Sequence, residues 1–513
     1  MQQESRVKKT WMNAKVNLFF YFITLALSFF SRKIFLDNLG AEFIGLTGSL
    51  SSLLGFLNLA ELGIGSAIGY VLYKPIFEKN HEKINEIISV FGYLYRWVGW
   101  AILVGGLILA GFFPLIYPNT GFDYSIIYFA YFSFLLSSLI GYFVNYRQTL
   151  LGADQRNYVV TAYFQTAGLI KTFIQMALAY YTGNYYLWVI IELVFGILYA
   201  IILNWKINQV YPWLKTDVRN GRELRKKYPE IIKYTKQLFV HKIGVVAIFQ
   251  ATPFLIYAFS TLQTVAFYGN YTTITLNLEK LLSSFLGSTE ASVGNLIAEG
   301  KKERILNVYW ELVAIRFFVT SIFAFALYNL LPPFIELWLG KQYLLSETVL
   351  LLLIINFSMN LIRVVTDHYK NGFGIFYDIW APFAEAVLSV SVAIVCGMKW
   401  GLEGVLLGNI VSTLIIVFGW KPYILFKKGM QVSLWNYIGH FTRNIIVLCG
   451  CFYFATFLKD QFVSDMLGNE SWMSWIQYSM VCVAIIGSTS LVAMFFLIPG
   501  MRAFVSRIHI LCR

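Results

Sequence analysis

Long apolar runs recur along the whole chain, and they restrict the possible folds more than any other feature of the sequence. A bilayer core of about 30 Å is crossed by a helix of about 20 apolar residues. By this measure the chain contains roughly fourteen such runs, with the first two within 11–36 and 43–73. Backbone polar groups in hydrocarbon must be satisfied within their own segment, which predicts helices. We therefore expect an all-α polytopic membrane protein with about 14 transmembrane helices.

The composition excludes a water-soluble enzyme. Hydrophobic residues make up 58% of the 513 residues and charged residues 13%, and the mean hydropathy is +0.63. Soluble domains carry about 25% charged residues. No G-x-x-x-x-G-K-[ST], G-x-G-x-x-G, H-E-x-x-H or G-x-S-x-G motif offers a phosphate loop, a zinc site or a nucleophile, and the five cysteines suggest no metal site. We expect a protein that is not an enzyme and has no cofactor or metal.

Positive charge alternates between the connections that join the predicted spans. Connections on one side hold 27 of the 40 Lys and Arg residues, those on the other side hold 5, and 8 lie within spans. The richer side includes the N-terminus, the C-terminus and the group Lys421, Lys427 and Lys428. Because cytoplasmic loops are enriched in Lys and Arg, we expect both termini in the cytoplasm. The net charge of +13 is thus a topology signal and not a sign of nucleic-acid binding.

A weak internal repeat predicts two lobes. Gly45 and Arg96 correspond to Gly269 and Arg316, at offsets of 224 and 220 residues. Parallel six-helix repeats packed as two lobes are typical of transporters whose substrate path lies between the lobes; chance similarity between apolar segments is the alternative. The predicted division is an N-lobe at 1–205 (helices 1–6), a basic cytoplasmic linker at 206–236, a C-lobe at 237–430 (helices 7–12), and helices 13–14 with the C-terminus at 431–513.

Polar residues form stripes on three predicted helices, because residues three or four apart share a helix face. Stripes of this length must face protein or water. Interhelical hydrogen bonding would explain the uncharged members, whereas a hydrated cavity explains stripes that run the full depth. Arg363 and Asp367 also have the i,i+4 spacing of an ion pair. The stripes comprise Asn13, Asn17, Thr24, Ser28 and Ser31; Asn270, Thr273, Asn277, Lys280, Ser284, Ser288 and Asn295; and Asn356, Asn360, Arg363, Asp367 and Asn371.

Charged residues inside spans are candidates for binding and coupling. Lys171 and Lys280 lie near the predicted midplane, where a charge costs about 2.5–3.5 kcal/mol or more unless it is paired or hydrated, and we interpret them as an anion site. Arg32 ends the first span on the outer side, as an interfacial anchor or as a bidentate phosphate ligand. Three acidic residues are candidates for ion or proton coupling, or for charge pairing: Glu61, Glu290 and Asp367.

Motifs near the N-terminus resemble bacterial polysaccharide exporters of the Wzx type. They are ELGIGSAIGY at 61–70, YKP at 73–75, EKI at 82–84, and SRKIFLDNLGAEFIGL from residue 31. The Wzx type belongs to the multidrug/oligosaccharidyl-lipid/polysaccharide (MOP) exporter superfamily, together with the MATE drug exporters and the lipid II flippase MurJ. The extra final helix pair resembles the polysaccharide and lipid II branches. The arginines of the first two MurJ-like helices are not matched, since the second span here has none.

The resemblance implies a flippase of the bacterial cell inner membrane that moves undecaprenyl-diphosphate-linked oligosaccharide units for O-antigen, capsule or exopolysaccharide by alternating access. It implies a cavity position for Arg32 near the diphosphate. Implied partners are this lipid, membrane lipids, and a polysaccharide polymerase with its chain-length machinery, with no nucleic acid and a monomeric protein. Membrane potential, H⁺ and Na⁺ stay open as driving forces. The expected substrate site comprises Arg32, Lys171, Lys280, Arg363, Asn270, Asn277, Asn17, Thr24 and Ser28.

Two alternatives stay open. A cation- or proton-coupled exporter of drugs or metabolites on the same scaffold would need an apolar, acid-lined pocket. A non-transporting scaffold or scramblase would need no charge at the midplane.

Overall fold

The computed structural model describes residues 6–511 apart from 62, 119, 287–288, 376 and 463–470. All regular secondary structure in this part of the chain is helical, which confirms the all-α prediction. Nine helices among the described residues are long and apolar enough to cross a membrane, so the chain is a multi-pass membrane protein by helix length and composition. These candidate spans are Lys15–Leu57, His81–Gly111, Tyr124–Phe143, Tyr185–Val210, Lys302–Trp338, Glu347–Gly372, Trp380–Met430, Leu434–Phe462 and Trp472–Leu497.

The chain divides into two compact units, Met1–Ala266 and Phe267–Arg513. The lobe and linker boundaries expected from the sequence stay a prediction. In the first unit α1 packs against α5 and α7, α2 against α3 and α7, and α6 against α4 and α5. The helices of ten or more residues in this unit are α1 (Arg6–Leu57), α2 (Ile64–Phe77), α3 (His81–Gly111), α4 (Tyr124–Phe143), α5 (Tyr158–Thr182), α6 (Tyr185–Val210) and α7 (Pro229–Phe259).

In the second unit α10 is the central helix, since it packs against α11, α13, α14 and α15. Its core side chains include Trp310, Phe317 and Phe325, all buried. The α-helices of ten or more residues are α8 (Leu262–Leu286), which begins within the last residues of the first unit, α9 (Thr289–Ala298), α10 (Lys302–Trp338), α11 (Glu347–Gly372), α12 (Trp380–Ser412), α13 (Leu434–Phe462), α14 (Trp472–Leu497) and α15 (Pro499–Leu511).

Two of the long helices contain a sharp break. The backbone leaves the helical region at Gly40 in α1 (φ 82°, ψ 156°) and at Gly401 in α12 (φ 56°, ψ −126°). Each break therefore separates two segments. Three further long helices, α5, α7 and α8, are not among the nine candidate spans. The count of fourteen stays a prediction.

The second predicted span, 43–73, is not one continuous helix. The α1 helix ends at Leu57, a 3₁₀ turn covers Asn58–Glu61, and Gly63 adopts φ +89° before α2 begins. A Cβ atom on Gly63 would lie 2.8 Å from the carbonyl oxygen of Thr235 on α7. The wrong expectation has a physical reason: hydropathy does not register a left-handed glycine where two backbones approach closely.

Replacing Gly63 with alanine is expected to destabilise the first unit by about 1–3 kcal/mol, because the new Cβ meets both an unfavourable φ and the α7 backbone. The matched control is Gly69→Ala, which lies inside α2 with no atom within 4 Å of the added Cβ. The melting temperature of the detergent-solubilised protein should fall for the first variant and stay level or rise for the second. Equal melting temperatures would contradict this account of the turn.

The basic stretch after α6 is packed against α3. His81 stacks on Trp213 at 3.8 Å, and the Ser89 hydroxyl accepts a hydrogen bond of 2.9 Å from the Asp217 backbone. Lys227 pairs with Glu86 at 2.7 Å. Tyr228 donates to Glu86 as well; burial and this hydrogen bond raise the pKa of Tyr228 above its usual value. The segment between α6 and α7 is therefore held to the first unit.

Candidate functional site

The polar stripe of α1 makes hydrogen bonds within the protein at both of its ends, and its middle residues are exposed. Asn13 donates to the Gln155 carbonyl at 2.8 Å and accepts from the Tyr158 backbone at 2.7 Å. Ser28 donates to the Leu25 carbonyl of its own helix at 2.7 Å. Asn17 and Thr24 are exposed, and the Thr24 hydroxyl donates a long hydrogen bond of 3.5 Å to the Gln165 side chain on α5. Interhelical and local hydrogen bonds thus explain part of the stripe, and Asn17 and Thr24 are the members best placed to meet a ligand.

Arg32 is half-buried and holds the end of the first unit. Its Nη2 donates to the carbonyl oxygen of Ala266 at 2.9 Å. A guanidinium group has five N–H donors, so this bond uses one of them. Arg32 therefore fixes the start of α8 to α1, a structural role that the sequence did not suggest.

Lys171 is paired with a carboxylate. Its ammonium on α5 lies 2.9 Å and 3.0 Å from the two oxygens of Glu192 on α6, and Gln175 donates to the same carboxylate at 3.1 Å. The side chains of Lys171 and Glu192 are 21% and 27% exposed. The charge of this deep lysine is thus compensated in this structure. The short connection between α5 and α6 contained the signal, because the antiparallel hairpin places residues before and after Gly183 side by side.

Arg363 belongs to a charged cluster in the second unit, which we call the α11 ion network: Arg363, Asp367, Glu385 and Lys421. The expected i,i+4 pair is present, with Arg363 Nε 3.3 Å from Asp367. Arg363 also lies 3.6 Å from Glu385, and Lys421 lies 2.6 Å from Asp367. Two cations and two carboxylates alternate, so the network is close to neutral.

Lys421 corrects the expectation that it belongs to a cytoplasmic connection. The helical backbone continues beyond α12 through two π-helical segments, Thr413–Trp420 and Leu425–Met430, which enclose the turn Lys421–Ile424. The Lys421 side chain is 10% exposed and faces Asp367. The sequence contains a cluster of three lysines here, and only contacts with α11 distinguish the buried one from its neighbours.

The polar stripe of α8 changes from buried to exposed along its length. Asn270 is fully buried, and Asn277 donates to the Thr273 carbonyl at 2.7 Å. Lys280 is exposed, and no carboxylate of the described residues pairs with it. The neighbouring Glu279 instead accepts a hydrogen bond of 3.3 Å from Asn360. Of the two deep lysines, Lys171 has a carboxylate partner, whereas Lys280 has none among the described residues.

The other acidic candidates also have partners. Glu61 lies close to the hydroxyls of Tyr95 and Tyr142, and the Tyr142 hydroxyl donates to the Asn58 side chain at 3.0 Å. Glu290 accepts from the Asn371 amide at 3.0 Å. Asp367 belongs to the α11 ion network. None of the three pairs with Lys171 or Lys280 among the described contacts; the lysine partner that exists, Glu192, was not among the residues selected from the sequence.

Each unit contains a cavity. In the first unit a cavity of ≈640 Å³ is lined by Glu42, by residues that follow α3, such as Leu115, and by the end of α7 and the start of α8, including Tyr257 and Thr261. The Glu42 carboxylate accepts a hydrogen bond from the Gly121 backbone at 3.0 Å. In the second unit a cavity of ≈290 Å³ is lined by aromatic and charged residues before α12 and along the segment that follows it.

Two solved structures share this fold over most of the chain. The lipid II flippase MurJ, in an inward closed conformation, is 16% identical and has a TM-score of 0.67; the match covers 94% of this chain and 99% of that chain. A multidrug resistance MATE family transporter of the MOP superfamily, in an inward-facing conformation, is 14% identical with a TM-score of 0.57, over 78% of this chain and 94% of that chain. No family profile and no curated protein matches the sequence. The similarity confirms the expected MurJ- and MATE-like fold.

Proposed function

We propose that the protein is a flippase for undecaprenyl-diphosphate-linked oligosaccharides in a bacterial inner membrane. The observation that carries this proposal is the fold shared with a lipid II flippase over 94% of the chain. The MATE transporter matches 78% of the chain, so the lipid flippase accounts for a larger part of it. A sugar head with a diphosphate cannot cross hydrocarbon unaided, because its polar groups would lose their hydrogen bonds to water. The protein must offer polar and cationic groups in their place.

Lys280 is the residue proposed to contact the diphosphate first. It stands on the exposed part of a polar stripe, next to Ser284, which is also exposed. A lysine in hydrocarbon is costly, so an exposed lysine on a helix that the sequence predicts to span the membrane favours a hydrated face. Arg32 and the compensated cations Lys171 and Arg363 are proposed to contribute after their present contacts rearrange. Asn17, Thr24, Ser28, Asn270 and Asn277 are proposed to meet sugar hydroxyls.

The proposal extends to the surroundings of the protein. The charge distribution supports cytoplasmic termini, and the oligosaccharide polymerase is the proposed partner that consumes the flipped lipid. The membrane potential, H⁺ or Na⁺ would drive the cycle. A proton- or cation-coupled drug exporter is the second candidate, favoured by the match to the MATE transporter.

The test is reconstitution into vesicles with a fluorescent prenyl-diphosphate oligosaccharide, followed by measurement of head-group access from outside. Lys280→Ala is expected to lower the initial flipping rate about tenfold, since a charge-assisted hydrogen bond contributes about 1.5–3 kcal/mol. Lys280→Arg should retain most of the rate. The control is Lys301→Ala, another exposed lysine in the same unit, which should behave as the wild type.

Unchanged flipping by Lys280→Ala would remove Lys280 from the site and leave the function standing. Export of cationic dyes without any flipping of the lipid would replace the proposed function by the second candidate.

A further inference from the structure

The ≈290 Å³ cavity of the second unit is lined by residues that have no role in the proposed function. It lies where the chain enters α12 and where the π-helical segments follow that helix. We call it the Trp420 cavity. Its lining comprises Tyr377, Asp378, Trp380, Trp420, Tyr423, Ile424, Lys427 and Lys428.

Aromatic rings form much of the wall. The rings of Trp380 and Trp420 are 4.8 Å apart at 60°, and those of Trp420 and Tyr423 are 5.6 Å apart at 37°. Tyr377 and Trp380 are exposed. Aromatic side chains with polar edges combine an apolar surface with hydrogen-bonding ends, which suits a ligand that has both C–H faces and polar substituents.

The π-helical backbone explains how one short segment serves both the cavity and the core. Lys421 enters the α11 ion network, whereas Trp420, Tyr423 and Lys427 line the cavity. A π-helical turn is wider than an α-helical turn, and such segments are frequent at functional sites. Here the two π-helical stretches occur on either side of Lys421.

Two buried polar atoms of the lining have no partner among the described residues. Asp378 is 3% exposed; its Oδ1 is paired with the ammonium of Lys370, but its Oδ2 accepts no hydrogen bond. The indole Nε1 of Trp420 is buried and donates to no acceptor. Unsatisfied buried groups cost about 1–3 kcal/mol each, so a ligand that supplies partners is stabilised. Both atoms are inaccessible in this structure, so their side chains must rotate toward the cavity for a ligand to reach them. A hydroxyl donor suits Asp378, and an ether or hydroxyl oxygen suits Trp420.

Cations stand at the edge of the cavity. Lys427 and Lys428 are both exposed, and Lys427 donates to the Tyr423 hydroxyl at 2.7 Å. The Asp378 carboxylate in the lining is already paired with Lys370. Positive charge is thus in excess, which favours an anionic group, and a phosphate accepts hydrogen bonds from several lysines at once.

We propose that the Trp420 cavity binds a phosphorylated pyranose, with the sugar against the rings, its hydroxyls on Asp378 and Trp420, and the phosphate at Lys427 and Lys428. The proposal rests on the proposed function and deepens it: the cavity receives the head of the lipid-linked sugar at the side that the lysine distribution predicts to be cytoplasmic. It adds a recognition step that precedes translocation.

Binding to the purified full chain in detergent tests this without transport. The probes are glucose 1-phosphate, glucose, inorganic phosphate and a short-chain prenyl-phosphate glucose, measured by titration calorimetry. Glucose 1-phosphate should bind about tenfold more tightly than glucose or phosphate alone, because it engages both halves of the cavity. The prenyl-linked sugar should compete for the same cavity at least as well. Equal binding of inorganic phosphate, or binding of the free sugar phosphate alone, would overturn the proposal.

Two variants locate the site. The double variant Lys427→Ala/Lys428→Ala changes exposed side chains only, and it should bind glucose 1-phosphate about tenfold more weakly than the wild type. Arg225→Ala with Lys226→Ala, an exposed basic pair in the first unit, is the matched control and should bind as the wild type. Trp420→Phe keeps an aromatic ring but removes the Nε1 donor. The affinity for the sugar phosphate should therefore fall, while the affinity for inorganic phosphate should stay unchanged.

Unaltered affinity in the double lysine variant would overturn the site. Since binding and flipping are measured separately, wild-type flipping without sugar-phosphate binding rejects the cavity alone, and binding without any flipping rejects the proposed function alone.

Discussion

Replacing Asp367 with asparagine is expected to destabilise the second unit by about 2–3 kcal/mol, because two cations would lose their shared carboxylate, whose side chain is 30% exposed. Lys421 lies 2.6 Å from Asp367, and Arg363 lies 3.3 Å from it. The Lys421 side chain is 10% exposed, so it is largely removed from water. The measurement is the melting temperature of the detergent-solubilised protein, which should fall by several degrees.

A double variant separates the ion pair from general sensitivity at this position. Asp367→Leu combined with Lys421→Met removes one charge of each sign and fills the space with apolar atoms. Replacement of a buried pair by packed hydrophobic residues is often neutral, so this protein should melt close to the wild type. The surface control is Asp460→Asn, whose carboxylate is exposed beside Lys459. If Asp367→Asn melted like the control, the network would have no stabilising role.

The all-helical fold follows from features that act along the chain. Apolar runs of membrane length leave the backbone no alternative to helices, and hydropathy alone therefore locates most of them. Gly40 and Gly63 show the limit of that reasoning. Both fall inside or between apolar runs, and both adopt a positive φ that hydropathy does not register. Glycines that break a helix look the same in the sequence as glycines that pass through one.

Charges show the same contrast at the candidate site. The Arg363–Asp367 pair was predictable, because both residues lie one turn apart on one helix. The partners Glu192 and Lys421 lie on other helices: only the short α5–α6 connection pointed to Glu192, and no pattern in the sequence pointed to Lys421. A deep lysine in the sequence can be a ligand for a substrate or half of a structural pair. Only the structure shows that Lys171 has a carboxylate beside it, whereas Lys280 has no carboxylate partner among the described residues.

This contrast gives Glu192 a distinct role in the proposed cycle. A carboxylate that holds Lys171 neutralised competes with any phosphate for the same ammonium group. The pair is part-exposed, with 21% and 27% of the side chains accessible, so its rupture costs less than that of a buried pair. We therefore expect an anionic substrate to exchange with Glu192.

Replacing Glu192 with glutamine is expected to tighten binding of a prenyl diphosphate about tenfold, because the substrate no longer displaces a like-charged group. Lys171→Ala should weaken binding by a similar factor. Glutamine keeps the shape of the side chain and can still accept from Gln175, so the fold should be retained. Affinity is measured by titration of the purified protein, and flipping in vesicles should slow when the substrate is held more tightly.

The combination of Lys171→Met with Glu192→Gln decides between exchange and a purely structural pair. Methionine and glutamine have nearly the same size as the residues that they replace, so packing is preserved. Both charges are absent, and Lys171 can no longer bind the diphosphate. Under exchange the double variant binds the diphosphate as weakly as Lys171→Ala. Under a structural role it binds like the wild type, and Glu192→Gln alone lowers the melting temperature without raising affinity. The same pair of residues would then stabilise the α5–α6 hairpin, and Lys280 would be left to meet the diphosphate.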